Sequence, residues 1–160
     1  MTDNKLGGIL AKIATIQDAV GHIPKNGIGP ASKGSFQYVK YEDILEGIRK
    51  ELVRNKVITR FETLEHDVHV EQVGGRMVVN TKVLVRYTYI DIEDGSEHIS
   101  VVGGEGSDIG GDTATRKAYT QAQKVNLLHT FNIVSGDEPD SDSAERTDLP
   151  KAKEAKPVAS

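Results

Sequence analysis

The sequence predicts an α+β fold, an antiparallel β-meander packed against helices, with a disordered C-terminal tail. Three observations lead there. Two early segments carry apolar residues at helical spacing, and strong β-formers then alternate with polar residues from 57 to about 102. Residues 136–160 show neither pattern. A chain of 160 residues suits one domain, here 1–135, with the tail outside it.

Residues 4–20 open the chain with Leu6, Ile9, Leu10, Ile13, Ile16 and Val20 on one helical stripe, which suits a core or a subunit contact. "GHIPKNGIGPASKGSF" (21–36) is broken by Gly and Pro, carries Lys25 and Lys33 with no acid, and reads as a loop. "FQYVKY" leads into a second helix over about 41–55, with Tyr41, Ile44, Leu45, Ile48 and Leu52 on one face. "VITRFETL", "HVEQV", "RMVVNTKVLVRYTYIDI" and "EHISVV" read as three or four antiparallel strands, with turn signals at Gly74-Gly75 and Asp94-Gly95.

The longest strand sorts its residues by parity. Met77, Val79, Thr81, Val83, Val85, Tyr87 and Tyr89 make a mostly apolar face, while Arg76, Asn80, Lys82, Arg86 and Thr88 make a polar one. The glycines of 103–111 read as a loop that launches a third helix, with Asp112 as its N-cap. On that helix Ala114, Ala118, Ala122, Val125 and Leu128 form an apolar arc. Arg116, Lys117, Thr120 and Lys124 share another arc about 100° wide. Small alanines on the buried side allow the helix to lie close against a sheet.

Net charge is −4, but the charges are uneven. Residues 1–56 hold nine Lys/Arg against six Asp/Glu, and 112–135 hold three against one, whereas 57–111 hold four against ten. Local patches of this kind govern binding more than the total does. With no cysteine, disulfides, thiolate metal sites and thiol catalysis are excluded. No apolar run reaches the roughly 18 residues of a membrane span or resembles a secretory leader. A soluble cytoplasmic protein without membrane contact is the expectation.

Several candidate chemistries fail on their details. Gly106-x4-Gly111 followed by Asp112-Thr113 nearly spells a phosphate-binding loop, but Asp112 stands where the cationic lysine belongs and would repel phosphates. His66 and His69 lie three apart in a strand, so their rings diverge. Asp91, Glu93, Asp94, Glu97, Glu105 and Asp108 are acidic enough to suggest a divalent ion, but turns and caps account for most of them. Ser107 has no activating histidine. No catalytic constellation, metal site or cofactor is expected.

The basic residues form a more consistent set. Phosphate backbones are held by several Lys and Arg side chains spread along a groove, with no essential catalytic residue. Arg76, Lys82 and Arg86 on the sheet and Arg116, Lys117 and Lys124 on the helix are the candidate DNA contacts, with Lys33 and Lys40 behind them. Tyr41, Tyr87 and Tyr89 fall on core stripes, which leaves Tyr38 as the candidate for base stacking.

The order of motifs resembles a known family. A short helix, a Lys/Gly loop, an "F-x-Y-x-x-Y" entry to a helix with "E-D-I-L", and a β-meander are followed by "GDTATRKAYTQAQKVNLLHTFNI" and "DEPDSD". This layout is similar to the Erf (essential recombination function) family of phage single-strand annealing proteins. The likeness covers about residues 5–135 and is sharpest from Gly104 to Ile133.

The resemblance implies a βββα core, single-stranded DNA binding, and annealing of complementary strands without ATP in phage recombination and repair. It further implies homo-oligomeric rings or filaments, with a phage exonuclease or a host single-strand-binding protein as additional partners. Asp112 matches the acidic residue before the last helix, Lys117 and Lys124 match the helix lysines, and Tyr38 and Tyr41 match the aromatic entry. Thr113 departs from the lysine usual after that aspartate, and Val125 from the aromatic usual after the second helix lysine. Two other classes compete: a phage assembly oligomer without DNA affinity, and a metal-dependent nuclease using the acidic loops.

Overall fold

The computed structural model describes residues 7–21, 23, 27–28, 37–38 and 40–133. The expected tail at 136–160, Leu6, Lys33 and the side chain of Tyr38 lie outside the described residues. Helix α1 (Gly8–Val20) is followed by a two-residue pairing of β1 (Gly27–Ile28) with β2 (Gln37–Tyr38), and then by α2 (Tyr41–Arg54). Strands β3 (Val57–Val73), β4 (Arg76–Asp91) and β5 (Glu97–Ile109) form an antiparallel sheet in the order β3-β4-β5, and α3 (Ala114–Thr130) follows.

Strand β4 organises the core. Its residues Thr81, Val83, Val85, Tyr87 and Tyr89 are buried, and the residues between them are half-buried or exposed, as the alternation requires. Ile9, Ile13, Ile16 and Val20 of α1, Ile44 and Ile48 of α2, and Ala118, Ala122 and Leu127 of α3 pack with those β4 residues in one core. The helices therefore share one face of the sheet. Arg76 and Met77 are exposed where the β3–β4 hairpin runs beyond this cover. Gly74 and Gly75, both at positive φ, close that hairpin as a two-residue loop between Val73 and Arg76.

Two expectations about the sheet are corrected here. The segments "VITRFETL" and "HVEQV" are one strand, interrupted by a bulge between Thr63 and Glu65 that shifts the side-chain alternation by one. The sheet thus has three strands. Residues 103–109 are not a loop but the second half of β5, and only Gly110 and Gly111, at φ 89 and 87, make a turn.

The reason is steric. A Cβ at Gly104 would lie 2.8 Å from the Ala122 nitrogen and 2.9 Å from the Ala122 Cβ, and would overlap the Ala118 carbonyl oxygen. A Cβ at Gly106 would lie 2.6 Å from the Ala118 nitrogen and overlap the Ala114 carbonyl. These glycines belong to a strand on which a helix sits at backbone contact.

Asp112 is not the N-cap of α3. Thr113 holds that position without a side-chain cap bond, and its N–H points toward the carboxylate of Asp108 at 3.4 Å. Val125 and Leu128 are only half-buried. Asn126, Leu127 and Phe131 enter the core instead, with Asn126 donating to the Tyr89 hydroxyl at 2.6 Å and the Phe131 ring edge-on to Tyr89.

The start of α1 is tied to the β4–β5 turn. The Gly8 N–H donates to Asp94, the Ile9 N–H to the Ser96 hydroxyl, and the Lys12 ammonium to Asp91 and Glu93 at 2.6 and 2.7 Å. Lys56 adds a second cation on Glu93, whose carboxyl the two lysines, Lys12 first, hold down at about 2.

Candidate nucleic-acid interface

Two amphipathic elements that bury their apolar sides against each other turn their polar sides apart. Lys82 and Arg86 project from the uncovered face of the sheet, and Arg76 lies on the same parity at the hairpin tip. Arg116, Lys117 and Lys124 stand on α3, which covers the opposite face. The structure does not bring the two expected basic groups onto one surface.

Each group is also partly neutralised. On the open sheet face Lys82 meets Glu105 at 3.1 Å and Arg86 meets Glu62 at 2.9 Å. Glu65, Asp67 and Glu71 share that face by their pairing with Leu84, Lys82 and Val78. Its β3 border is therefore acidic. Arg76 is exposed and has no ion pair among the described residues. Lys40 is exposed immediately before α2.

Helix α3 spreads its cations over two flanks. Lys117 turns toward β5, donating to the Ser107 carbonyl at 2.9 Å and to Asp108 at 3.0 Å. The Asp108 carboxyl is held far below its usual range, first by this lysine and then by Thr113. Gln121, one turn on, accepts from the Glu105 N–H. These contacts occupy backbone groups along β5 and shield that edge from strand addition. Lys124 follows Lys117 by seven residues, so it lies on the same flank.

Arg116 lies on the other flank and is exposed. With Tyr119, Thr120 and Gln123 of α3, and with Phe61 and Tyr87 of the sheet, it lines a cleft of about 400 Å³. Phe61 pairs with Tyr87 across β3 and β4, and their rings lie 6.5 Å apart. Tyr119 closes one end, sharing a hydrogen bond with the Thr63 hydroxyl at 2.9 Å and standing edge-on to His66. Tyr41 donates to the Gln123 carbonyl oxygen at 3.0 Å. Burial pushes the Tyr87 phenol up to about 12, with Tyr41 and Tyr119 adding to it, so the floor of the cleft is uncharged at neutral pH.

Arg116 was expected from the sequence. Phe61, Tyr119 and Gln123 were not, because their convergence depends on the Phe61–Tyr87 pairing and on where α3 lies across the sheet. An aromatic in "VITRFETL" with Thr59 and Thr63 on its side was the available signal.

Other chemistries find little support among the described residues. No group of three or more His, Cys, Asp or Glu is arranged to hold a metal ion. His66 pairs with Val83 and His69 with Asn80, on opposite faces. Asp91, Glu93 and Asp94 are committed to Lys12, Lys56, Ser96 and Gly8. Among the described residues no helix is long and apolar enough to cross a membrane.

Residues 9–160 match the family model described as the ERF superfamily. No curated protein matches the chain.

Proposed function

The chain belongs to the ERF superfamily, a family of phage recombination and annealing proteins, and on that premise we propose that it binds single-stranded DNA and anneals complementary strands without ATP. The observation that carries this reading is the exposed side of α3. There Arg116 lines a cleft together with Phe61, Tyr87 and Tyr119, and no carboxylate lines it among the described residues. A cation beside uncovered aromatic surface suits a strand whose phosphates are charged and whose bases present π-faces.

Phosphate contacts distributed over subunits hold the strand and leave most base edges free for an incoming complement. Base pairing supplies the driving energy, so neither nucleotide hydrolysis nor a catalytic residue is required. Among the expected contacts, Arg116 on α3 ranks first, with Lys124 on the neighbouring flank of the same helix. Lys117 contributes less, because Asp108 and Ser107 already engage its ammonium. Arg76, Lys82 and Arg86 belong to the opposite surface and serve as a second, weaker path. Copies of the chain in a ring or filament bring successive α3 surfaces into line, with an exonuclease or a host single-strand-binding protein as outside partners in phage recombination.

Fluorescent single-stranded and duplex oligonucleotides across a salt series, without nucleotide, test the proposal, with annealing of complementary strands followed in the same reactions. Preference for single strands, steep salt dependence and faster annealing are expected.

A second reading has one observation in its favour. Edge strand β3 carries on its helix-facing side a row without Lys, Arg, Asp or Glu, in which Phe61, Val68 and Val70 are 70%, 54% and 53% exposed. Such a strand invites pairing with another chain. Self-association without DNA binding at low salt would make this an assembly protein.

A further inference from the structure

Resting on that reading, we infer that the cleft between β3 and α3 takes one unstacked base of the bound strand, with Phe61 as its stacking surface. At about 400 Å³ the cleft has the size of small-ligand sites, which run from roughly 300 to 1,000 Å³. Its described lining is aromatic on the sheet side, with Phe61 and Tyr87, and mixed on the helix side, where Tyr119 stands among Arg116, Thr120 and Gln123.

The lining fits a base and its phosphate better than it fits other ligands. Phe61 is 70% exposed, yet its neighbour Tyr87 is 7% exposed, so an open ring lies on a rigid base. Exposed aromatic surface gains by stacking on any base, because every base has a π-face. The Tyr41 bond fixes the Gln123 carbonyl oxygen, and the Gln123 amide nitrogen has no partner among the described residues. It stands with the Thr120 hydroxyl as a hydrogen-bonding group for a base edge. Arg116, exposed and part of the same lining, supplies the cation for the adjoining phosphate.

Electrostatics separates this cleft from its neighbours. One neighbouring cleft is lined by Glu65, Asp67, Lys82 and Glu105, and another by Arg60, Glu62, Arg86 and Glu97. Both mix carboxylates with their cations and would repel a phosphate as much as attract it. The Phe61 cleft has a cation and no anion among its described lining residues. A purely apolar protein partner would leave Arg116 without a counter-charge. One base held per subunit would also set the strand's register on the protein while the bases between stay free to pair.

Binding of the full chain to an oligothymidine and to an equally long strand bearing abasic sites separates stacking from phosphate contact, since both strands carry the same charge. The wild-type protein should favour the base-bearing strand by roughly 5- to 150-fold, the affinity equivalent of one stacked base. Phe61→Ala, at an exposed position where folding is not at stake, should abolish that preference and leave the salt slope unchanged. Phe61→Trp should keep it. If Phe61→Ala retains the preference, the base is not held there. If the wild-type protein binds both strands equally with steep salt dependence, DNA binding stands and the cleft assignment falls. Failure to bind either strand at low salt overturns both.

Discussion

Replacing Gly104 by alanine adds a single methyl group and should unseat a helix. The new Cβ would sit 2.8 Å from the Ala122 nitrogen and 2.9 Å from its Cβ, where ordinary contacts begin near 3.4 Å, and would overlap the Ala118 carbonyl as well. Those atoms are helix backbone, which cannot swing aside as a side-chain end can. Relief requires α3 to rise from β5, and the contacts of Ala114, Ala118 and Ala122 weaken together. Overpacking against mobile neighbours costs about 1–3 kcal/mol, and a rigid obstacle puts this substitution at the upper end. The adjacent Gly103 is an internal control. Its Cβ would meet only the Val83 carbonyl, at 3.7 Å. Gly103→Ala should therefore be neutral or stabilising by up to about 1 kcal/mol, through the unfolded chain. Urea unfolding followed by circular dichroism, at one fixed protein concentration because oligomerisation shifts apparent stability, should lower the Gly104→Ala midpoint by roughly 1–2 M for a slope typical of this size. Equal midpoints for the two variants would refute the close approach of α3 to β5.

Other substitutions probe the site and the core. Arg116→Ala should weaken single-strand binding and reduce the slope of log affinity against log salt by about 0.7, whereas Arg86→Ala, on the weaker path of the opposite face and paired with Glu62, should reduce it less. Fluorescence anisotropy distinguishes them, and equal effects would mean that DNA does not choose the helix side. Asn126→Ala strips the buried Tyr89 hydroxyl of its donor and should cost about 1–3 kcal/mol in chemical denaturation; an unchanged midpoint would show that the bond contributes nothing. Glu93 has a folded pKa depressed to about 2, so its stabilising effect is complete above its unfolded value near 4.3 and is lost as pH falls toward 2. The melting-temperature gap between wild type and Glu93→Gln should accordingly close across that window, and a gap constant with pH would contradict the lysine pairing.

The parts of the fold readable in the sequence are those where one residue's neighbours along the chain decide its environment. Alternation in β4 identified its buried face, the Gly74-Gly75 and Asp94-Gly95 turns fell where expected, and the isoleucines of α1 and α2 are core. Glycines defeat that kind of reading. A strand written "GGEG" has no side chains to alternate, and the reason for Gly104 and Gly106 lies on α3, which begins well after them in the chain. The bulge at residue 64 likewise hides a single strand behind two half-patterns. The separation of the two basic groups was already implicit in the two patterns. If the alanine stripe of α3 packs on the apolar face of β4, then Arg116 and Arg86 must look in opposite directions.

The glycine seam also determines where a strand of DNA has room. Because β5 presents hydrogen atoms at Gly104 and Gly106, α3 settles over β5 and part of β4 and stops short of β3. The helix-facing side of β3 is left uncovered, which is why Phe61, Val68 and Val70 are exposed on the same side that buries Val83 and Val85. Tyr119 then reaches β3 at Thr63 and His66, and the gap between its flank of α3 and Phe61 is the cleft. On this account the cleft is a consequence of small residues on the far side of the helix, not of any residue that lines it. Gly106→Ala should therefore disturb base stacking at Phe61 even though it touches no part of the cleft. With 2-aminopurine in the strand as reporter, Gly106→Ala protein that remains folded should quench less on binding than wild type. Identical quenching would separate the position of α3 from the shape of the site and undo the link between them.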